Sequence, residues 1–271
     1  MHRKPVVAGS FYPKNPGELN KMIEQYLSDA SSDAIEGVVG IISPHAGYIY
    51  SGPVAAYSFK QLKQSGTEVV IVLAPSHRAR FDGASVITNG LYETPLGNVE
   101  IDSTIGNQLD GEEYFGFIQN AHEMEHSLEV QVPFLQKVLD NFTIVPIIIG
   151  TVKLEICKQI ASAISDILKN EKRKWVIVVS TDLSHYHSDS IAKEMDKKFI
   201  DTLQSMDEHQ VKDIIESGSS EACGEGPVLT GLMISKNLGA SKCKLLKYMN
   251  SGDTAGGKDQ VVGYMAAAFV K

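Results

Sequence analysis

Four runs of consecutive apolar and mainly β-branched residues constrain the fold of this 271-residue chain more than any other feature. They lie at residues 38–42, 69–73, 144–149 and 175–179. Hydrophobicity that continues along a strand, without alternating, is typical of strands buried on both faces, as in a parallel sheet covered by helices. We therefore predict an α/β fold with a central, mostly parallel or mixed sheet that is flanked by helices.

The segments between these runs agree with that fold. Helical apolar spacing without internal proline occurs at 54–62, 154–168, 191–203 and 228–238, and further strands are expected at 84–88, 244–249 and 261–270. The chain has no repeat, low-complexity tract or long linker. Because residues 28–37 are better explained as a surface loop than as a linker, we expect a single domain over residues 1–271.

The segment 127–139 fits either secondary structure. Its first apolar residues alternate as in a strand, whereas the spacing of its later apolar residues favours a helix. We predict the helix, with Ser127 as its N-cap and Pro133 as a bend.

Composition excludes several classes of function. The 33 acidic residues outnumber the 25 basic residues and give a net charge of -8, which argues against nucleic acid as the main partner. No apolar run approaches the roughly 18 residues needed to span a bilayer, and the N-terminus has no signal-peptide pattern. Three cysteines without a C-x-x-C spacing suit a reducing compartment. We therefore expect a cytoplasmic protein without membrane or nucleic-acid partners.

Titratable side chains follow three of the four apolar runs. His45 lies in "SPHAG", His77 in "APSHR", and Asp182 and His185 in "STDLSH". Because ligands of open α/β sheets bind beyond the carboxyl ends of the strands, we expect these side chains to converge at one rim. A proline close before each of the first two histidines favours an extended turn that directs the imidazole.

Cys223 adds a thiol to this set. It lies in the glycine-rich "EACGEG" just before a helical segment, where the backbone dipoles would stabilise a thiolate. Together with His45 and His77 it forms a three-ligand set that leaves coordination positions open, as in catalytic metal sites. Iron, copper and zinc are all compatible with mixed nitrogen and sulfur ligands.

Asp182 and His185 are three residues apart, so one helical turn would place them on the same side. We predict that they act as a general acid and base or hold a polar substrate. Without a metal, the same cysteine, histidine and aspartate side chains would suit a hydrolase with a Cys-His-Asp arrangement.

Three further residues are candidates for substrate binding. Tyr48 could form a wall of the pocket, Arg78 could bind an anion, and His126 could add a polar group. A solvated loop explains Arg78 equally well, and for His126 we favour a helix-capping role. If the histidines and Arg78 recognise charge, the protein would be a non-catalytic module for an anionic ligand such as a phosphorylated or carboxylated peptide.

Seven motifs, in one order along nearly the whole chain, resemble the Memo family, whose microbial members are also called AmmeMemoRadiSam system protein B. The motifs are "GSFYP", "SPHAGYIYSG", "APSHR", "EHSLEVQVPFL", "STDLSHY", "ACG" and "NSGD". The resemblance implies a fold similar to the class III extradiol dioxygenases, which bind non-heme iron through two histidines and a carboxylate.

The family's corresponding cluster has two histidines and a cysteine, which match His45, His77 and Cys223. Its additional pocket residues match Asp182 and His185. Because a thiolate replaces the carboxylate of the dioxygenases, ring cleavage does not follow from the fold.

The resemblance implies a metal-dependent redox protein or oxidoreductase-like enzyme that uses iron or copper. It also implies a small-molecule or peptide ligand, since eukaryotic members are implicated in receptor signalling and phosphopeptide binding. Microbial members are associated with an AMMECR1-like protein and a radical SAM protein, so we expect a pathway link to both.

Overall fold

One mixed sheet and ten α-helices make up the computed structural model, which describes residues 1–271. The twelve strands are β1 (His2–Arg3), β2 (Val38–Ser43), β3 (Val69–Pro75), β4 (Ala84–Val86), β5 (Gly90–Thr94), β6 (Gly97–Ile101), β7 (Phe115–Gly116), β8 (Thr143–Ile149), β9 (Trp175–Ser180), β10 (His185–His187), β11 (Lys242–Asn250) and β12 (Val261–Val270). The helices are α1 (Pro16–Asp29), α2 (Tyr48–Lys60), α3 (Ser103–Asp110), α4 (Gln119–His122), α5 (Val132–Val138), α6 (Leu154–Asn170), α7 (Asp189–Gln204), α8 (Glu208–Glu216), α9 (Glu225–Asn237) and α10 (Ser251–Thr254). The predicted α/β class with a mixed sheet is confirmed.

The four apolar runs form four adjacent strands at the centre of this sheet. Their order is β8, β3, β9 and β2, and each neighbouring pair among them is parallel. Val70 of β3, for example, lies between Ile144 of β8 and Val176 of β9. Because these strands are parallel, their carboxyl ends lie along one rim of the sheet.

Side chains of the central strands alternate between two hydrophobic cores. In β3, Ile71 and Leu73 belong to the core that α6 and α9 cover, whereas Val70 and Val72 belong to the core that α1, α2 and α5 cover. All four are inaccessible to solvent. The continuous apolar runs therefore reflect burial on both faces of the sheet.

The segment from Ser127 is helical only in its second half. A 3₁₀ turn at Glu129–Gln131 precedes α5, and Pro133 lies in the first turn of α5, where a missing N–H costs no hydrogen bond. The Ser127 hydroxyl donates to the carbonyl of Pro75, 2.8 Å away, at the end of β3. The predicted N-cap at Ser127 and bend at Pro133 are therefore wrong.

The C-terminal strand brings further residues to the rim. β12 pairs antiparallel with β2 and also with β11 and β10. Val262 of β12 pairs with His185, the first residue of β10, and Ala267 pairs with Ile42, so His185 lies along β12 beyond the carboxyl end of β2. None of the helices is both long and apolar enough to cross a bilayer.

Candidate metal centre

His45 lies two residues beyond the end of β2 and is only 2% exposed. Its Nδ1 is 2.8 Å from the hydroxyl oxygen of Ser180, the last residue of the adjacent strand β9. Its Nε2 is 3.0 Å from the Sγ atom of Cys223. One ring nitrogen is thus held by the sheet, and the other meets the thiol.

His77 follows β3 and is held by a buried carboxylate. Its Nδ1 is 2.9 Å from Oε1 of Glu125, and its backbone N–H donates to Oε2 over 2.6 Å. The backbone N–H groups of His126 and Ser127 also donate to this carboxylate. Burial raises the pKa of Glu125, but the hydrogen bonds, led by that from His77, lower it to about 2. The ionised carboxylate therefore holds the Nδ1–H of His77 and leaves Nε2 free to bind a ligand.

His126 completes a cluster of three imidazoles. One ring nitrogen each from His45, His77 and His126 lies within 4.8 Å of the other two. The rings of His77 and His126 are stacked with centroids 4.7 Å apart, and Phe11 packs against His126 at 4.9 Å. The helix-capping role that we favoured for His126 is wrong, because its ring lies between these neighbours. Glu125 and Phe11 were not predicted as site residues, although both lie in motifs noted in the sequence.

Cys223 precedes Gly224, the N-cap of α9. Its backbone N–H donates to the Asp182 carbonyl over 3.2 Å. A Cβ at position 224 would collide with the carbonyl of Ser180 and the side chain of Thr181, so glycine permits the loop to approach β9 closely.

The Cys223 thiol is neutral in the absence of metal. Burial and the nearby charge of Asp182 raise the pKa of Cys223 well above its usual range. Burial and the charges of His77 and His126 lower the pKa of His45. The Sγ atom lies 3.0 Å from Nε2 of His45 and 3.7 Å from the carbonyl oxygen of Asp182. The predicted lowering of the Cys223 pKa at the start of α9 is therefore wrong for the metal-free protein, in which burial raises this pKa.

Asp182 is 4% exposed, and its carboxyl group contacts the backbone of His45. Its Oδ1 accepts the backbone N–H of His45 over 2.7 Å. Burial raises the pKa of Asp182 to about 7, although hydrogen bonds from the backbone of His45 and Ala46 oppose the shift. Near neutral pH this carboxyl group can therefore take up or release a proton.

His185 is half-buried at the start of β10, and its charge contributes to the lowered pKa of His45. It does not share a helical turn with Asp182, because residues 181–184 form neither a helix nor a turn and lead directly into β10. Burial lowers the pKa of His185. Tyr186 follows with φ of 62°, at an irregularity in the pairing of β10 with β12.

Of two residues predicted to bind substrate, one is buried in the core and the other is exposed. Tyr48 is 2% exposed, packs against Phe134, and donates its hydroxyl to the carbonyl of Val130 over 2.6 Å. It is a core residue, so the expectation that it walls the pocket is wrong. Arg78 is exposed next to His77, and its Nε donates to the carbonyl of Met124 over 3.2 Å. It therefore lies at the rim of the histidine cluster.

Comparison with known proteins covers the whole candidate site. Residues 3–268 match the family described as Memo-like protein. The chain belongs to the Memo family. Proteins named MEMO1 family protein are similar to it over almost their full lengths. That of Nitrosopumilus maritimus is 39% identical over 100% of both chains, and that of Methanopyrus kandleri 39% over 99% of both. That of Saccharolobus solfataricus is 40% identical over 99% of both.

Membership of the Memo family confirms the resemblance drawn from the seven ordered motifs. The similarity of the fold to the class III extradiol dioxygenases stays a prediction.

Proposed function

We propose that this Memo-family protein binds a redox-active metal ion, iron or copper, through His45, His77 and Cys223. One observation carries the proposal. His45 and His77 each have Nδ1 engaged by a neighbouring group, and their ring nitrogens lie within 4.8 Å of each other, while the Cys223 thiol is 3.0 Å from His45. Held imidazoles with a free second nitrogen are typical of metal ligands.

The donor set fits such an ion. Neutral imidazoles and a thiol, which loses its proton on binding, suit iron or copper, and zinc is also compatible. Three protein ligands leave coordination positions for a substrate. When bound, iron or copper would supply one-electron redox chemistry. His126, rather than Cys223, completes the group whose ligand atoms all lie within 4.8 Å of one another, so it is a further candidate ligand, whereas Cys223 approaches the group at His45.

The surrounding residues would bind substrate and move protons. Asp182, with a pKa of about 7, would hold or release a proton beside His45. His185 would orient a polar group at the rim, and the exposed Arg78 would attract an anionic group of a small-molecule or peptide ligand.

We place this activity in the cytoplasm, because all three cysteines are free and Cys157 and Cys243 are buried packing residues. The proposal includes a pathway shared with AMMECR1-like and radical SAM proteins, which rests on the Memo resemblance.

Metal analysis of protein purified without chelators tests the proposal. We expect near-stoichiometric iron or copper in the wild type, and a loss of at least about tenfold in His45→Ala and Cys223→Ser. His209→Ala is the matched control, because His209 is exposed on α8, away from the cluster. His126→Ala tests whether the third imidazole is a ligand. Negligible iron, copper and zinc in all proteins would refute the metal centre, and stoichiometric zinc alone would refute its redox role.

A binding module for an anionic peptide is the second candidate. It is favoured by the exposed guanidinium of Arg78, of which only Nε is engaged. Saturable binding of a phosphopeptide that survives Cys223→Ser and is lost in Arg78→Gln would support it. A metal-free hydrolase is the third candidate: the Cys223 Sγ atom lies 3.0 Å from Nε2 of His45, as a Cys-His pair requires, whereas burial raises the pKa of Cys223 and so opposes formation of the nucleophilic thiolate.

A further inference from the structure

The hydrogen bonds behind His45 determine which of its nitrogens carries the proton. The amide nitrogen of Gln131, which is 1% exposed, lies 3.0 Å from the Pro44 carbonyl and 2.9 Å from the Ser180 hydroxyl oxygen. A third contact, at 3.4 Å, is to the carbonyl of Ser127. Since carbonyl oxygens only accept hydrogen bonds, the NH₂ group must face them, and the orientation of the Gln131 amide is fixed.

The Ser180 hydroxyl uses its complete hydrogen-bonding capacity in this network. Its hydrogen is donated to the Ser127 carbonyl, 2.8 Å away. One lone pair of its oxygen accepts from Gln131, and the other faces Nδ1 of His45 at 2.8 Å. A hydroxyl has one hydrogen and two lone pairs, so Nδ1 of His45 must be the donor in this contact.

We propose that Ser180, held by Ser127 and Gln131, is a positioning residue that keeps His45 in the Nδ1–H tautomer. The lone pair on Nε2 is then directed at Cys223 and is available to a metal ion. The benefit for metal binding rests on the proposed function, whereas the tautomer is a property of the metal-free protein. His77 is held in the same way by the ionised Glu125, so a neutral hydroxyl and a carboxylate orient the two imidazoles.

The alternative tautomer would obstruct the site. If Ser180 turned its hydrogen towards His45, the proton of the imidazole would move to Nε2 and face the thiol, and Nε2 could no longer bind a metal. The Ser127 carbonyl would at the same time lose its short hydrogen bond and keep only the 3.4 Å contact from Gln131, inside a region from which water is excluded. Exchanging a short hydrogen bond of a buried acceptor for a long one is unfavourable, and this disfavours the alternative tautomer.

The ring nitrogens of ¹⁵N-histidine-labelled, chelator-treated protein provide the test. Two-dimensional ¹H–¹⁵N spectra at neutral pH distinguish a protonated from an unprotonated ring nitrogen, and His45→Ala assigns the signals. We expect Nδ1–H in the wild type, loss of that single tautomer in Ser180→Ala, and its retention in Ser180→Thr. Ser184→Ala is the matched control, because Ser184 is a buried serine whose hydroxyl has no hydrogen-bond partner.

A wild-type spectrum with the proton on Nε2 would overturn the proposal, even if Ser180→Ala fails to fold. An unchanged spectrum in a folded Ser180→Ala would also overturn the role of Ser180.

Titration with Co²⁺ separates this inference from the proposed function. We expect Ser180→Ala to bind Co²⁺ roughly tenfold or more weakly than wild type and Ser184→Ala to match wild type. Equal Co²⁺ affinity in Ser180→Ala and wild type would overturn the positioning role and leave the metal centre intact. Absence of Co²⁺ binding in every variant, with the Nδ1–H tautomer present, would count against the metal centre and support the tautomer assignment.

Discussion

Replacing Asp182 by asparagine tests the electrostatics of the site without a metal. Burial raises the pKa of Asp182 from 3.8 to about 7. Between these values the folded protein keeps a proton that the unfolded chain has released, so the free energy of unfolding decreases as the pH rises. At about 1.4 kcal/mol per pKa unit, this one carboxyl group lowers the stability of the wild type by about 2.5 kcal/mol between about pH 5 and about pH 8. The contribution is complete below pH 3.8 and lost as the pH passes through 7.

The amide of the Asp182→Asn variant keeps an oxygen that can accept the backbone N–H of His45, but it carries no titratable proton. The measurement is urea unfolding in the presence of a chelator, followed by the fluorescence of Trp175. Between about pH 5 and about pH 8, we expect the free energy of unfolding of Asp182→Asn to rise by about 2.5 kcal/mol relative to that of the wild type. The exposed Asp201→Asn is the control and should parallel the wild type. Histidines that do not interact with Asp182 contribute equally to both proteins and cancel in the difference. Parallel curves for Asp182→Asn and wild type would show that the folded protein holds Asp182 ionised, and would refute the reasoning.

Three further predictions concern the surroundings of the site and the core. Glu125→Gln removes the charge that holds His77 and should weaken metal binding by roughly 10–100-fold, as measured by metal titration; unchanged affinity would contradict the orienting role. Gly263→Ala places a Cβ against the buried carboxylate of Asp196 and should lower the free energy of unfolding by about 1–3 kcal/mol in urea unfolding. An unchanged urea midpoint would contradict this prediction. Ile71 lies at the centre of β3 and is inaccessible to solvent, so Ile71→Ala should lower the free energy of unfolding by about 2–5 kcal/mol in the same assay. A decrease below about 1 kcal/mol would show that the core collapses around the cavity.

The central sheet could be predicted from the sequence because burial on both faces leaves a simple signature. The apolar runs that became β8, β3, β9 and β2 contain almost no polar residue, and this signature can be read within each run, without knowledge of distant partners. The antiparallel pair β5 and β6 was missed. Each of these strands has five residues, of which only two are buried, so their hydrophobic signal is weak.

The candidate site could be predicted only where strand ends determine position. His45 and His77 follow parallel strands directly, so their proximity could be expected from the rim rule. Glu125 and His126 reach the site on an irregular segment between α4 and α5, and no local pattern reports where such a segment runs. The turn expected between Asp182 and His185 failed for a similar reason, because pairing of β10 with β12 outweighs the local spacing.

The contact between His45 and Cys223 joins residues that are 178 positions apart in the chain. A zinc ribbon takes its ligands from short local spacings, and the metal can organise such a segment as it folds. Here the donors come together only after β2, β3 and β9 have paired and α9 has docked, because each donor belongs to a different part of the sheet rim. During synthesis His45 and His77 leave the ribosome long before Cys223 does. Metal uptake at this site would therefore follow folding, and a bound ion would stabilise the native state by mass action.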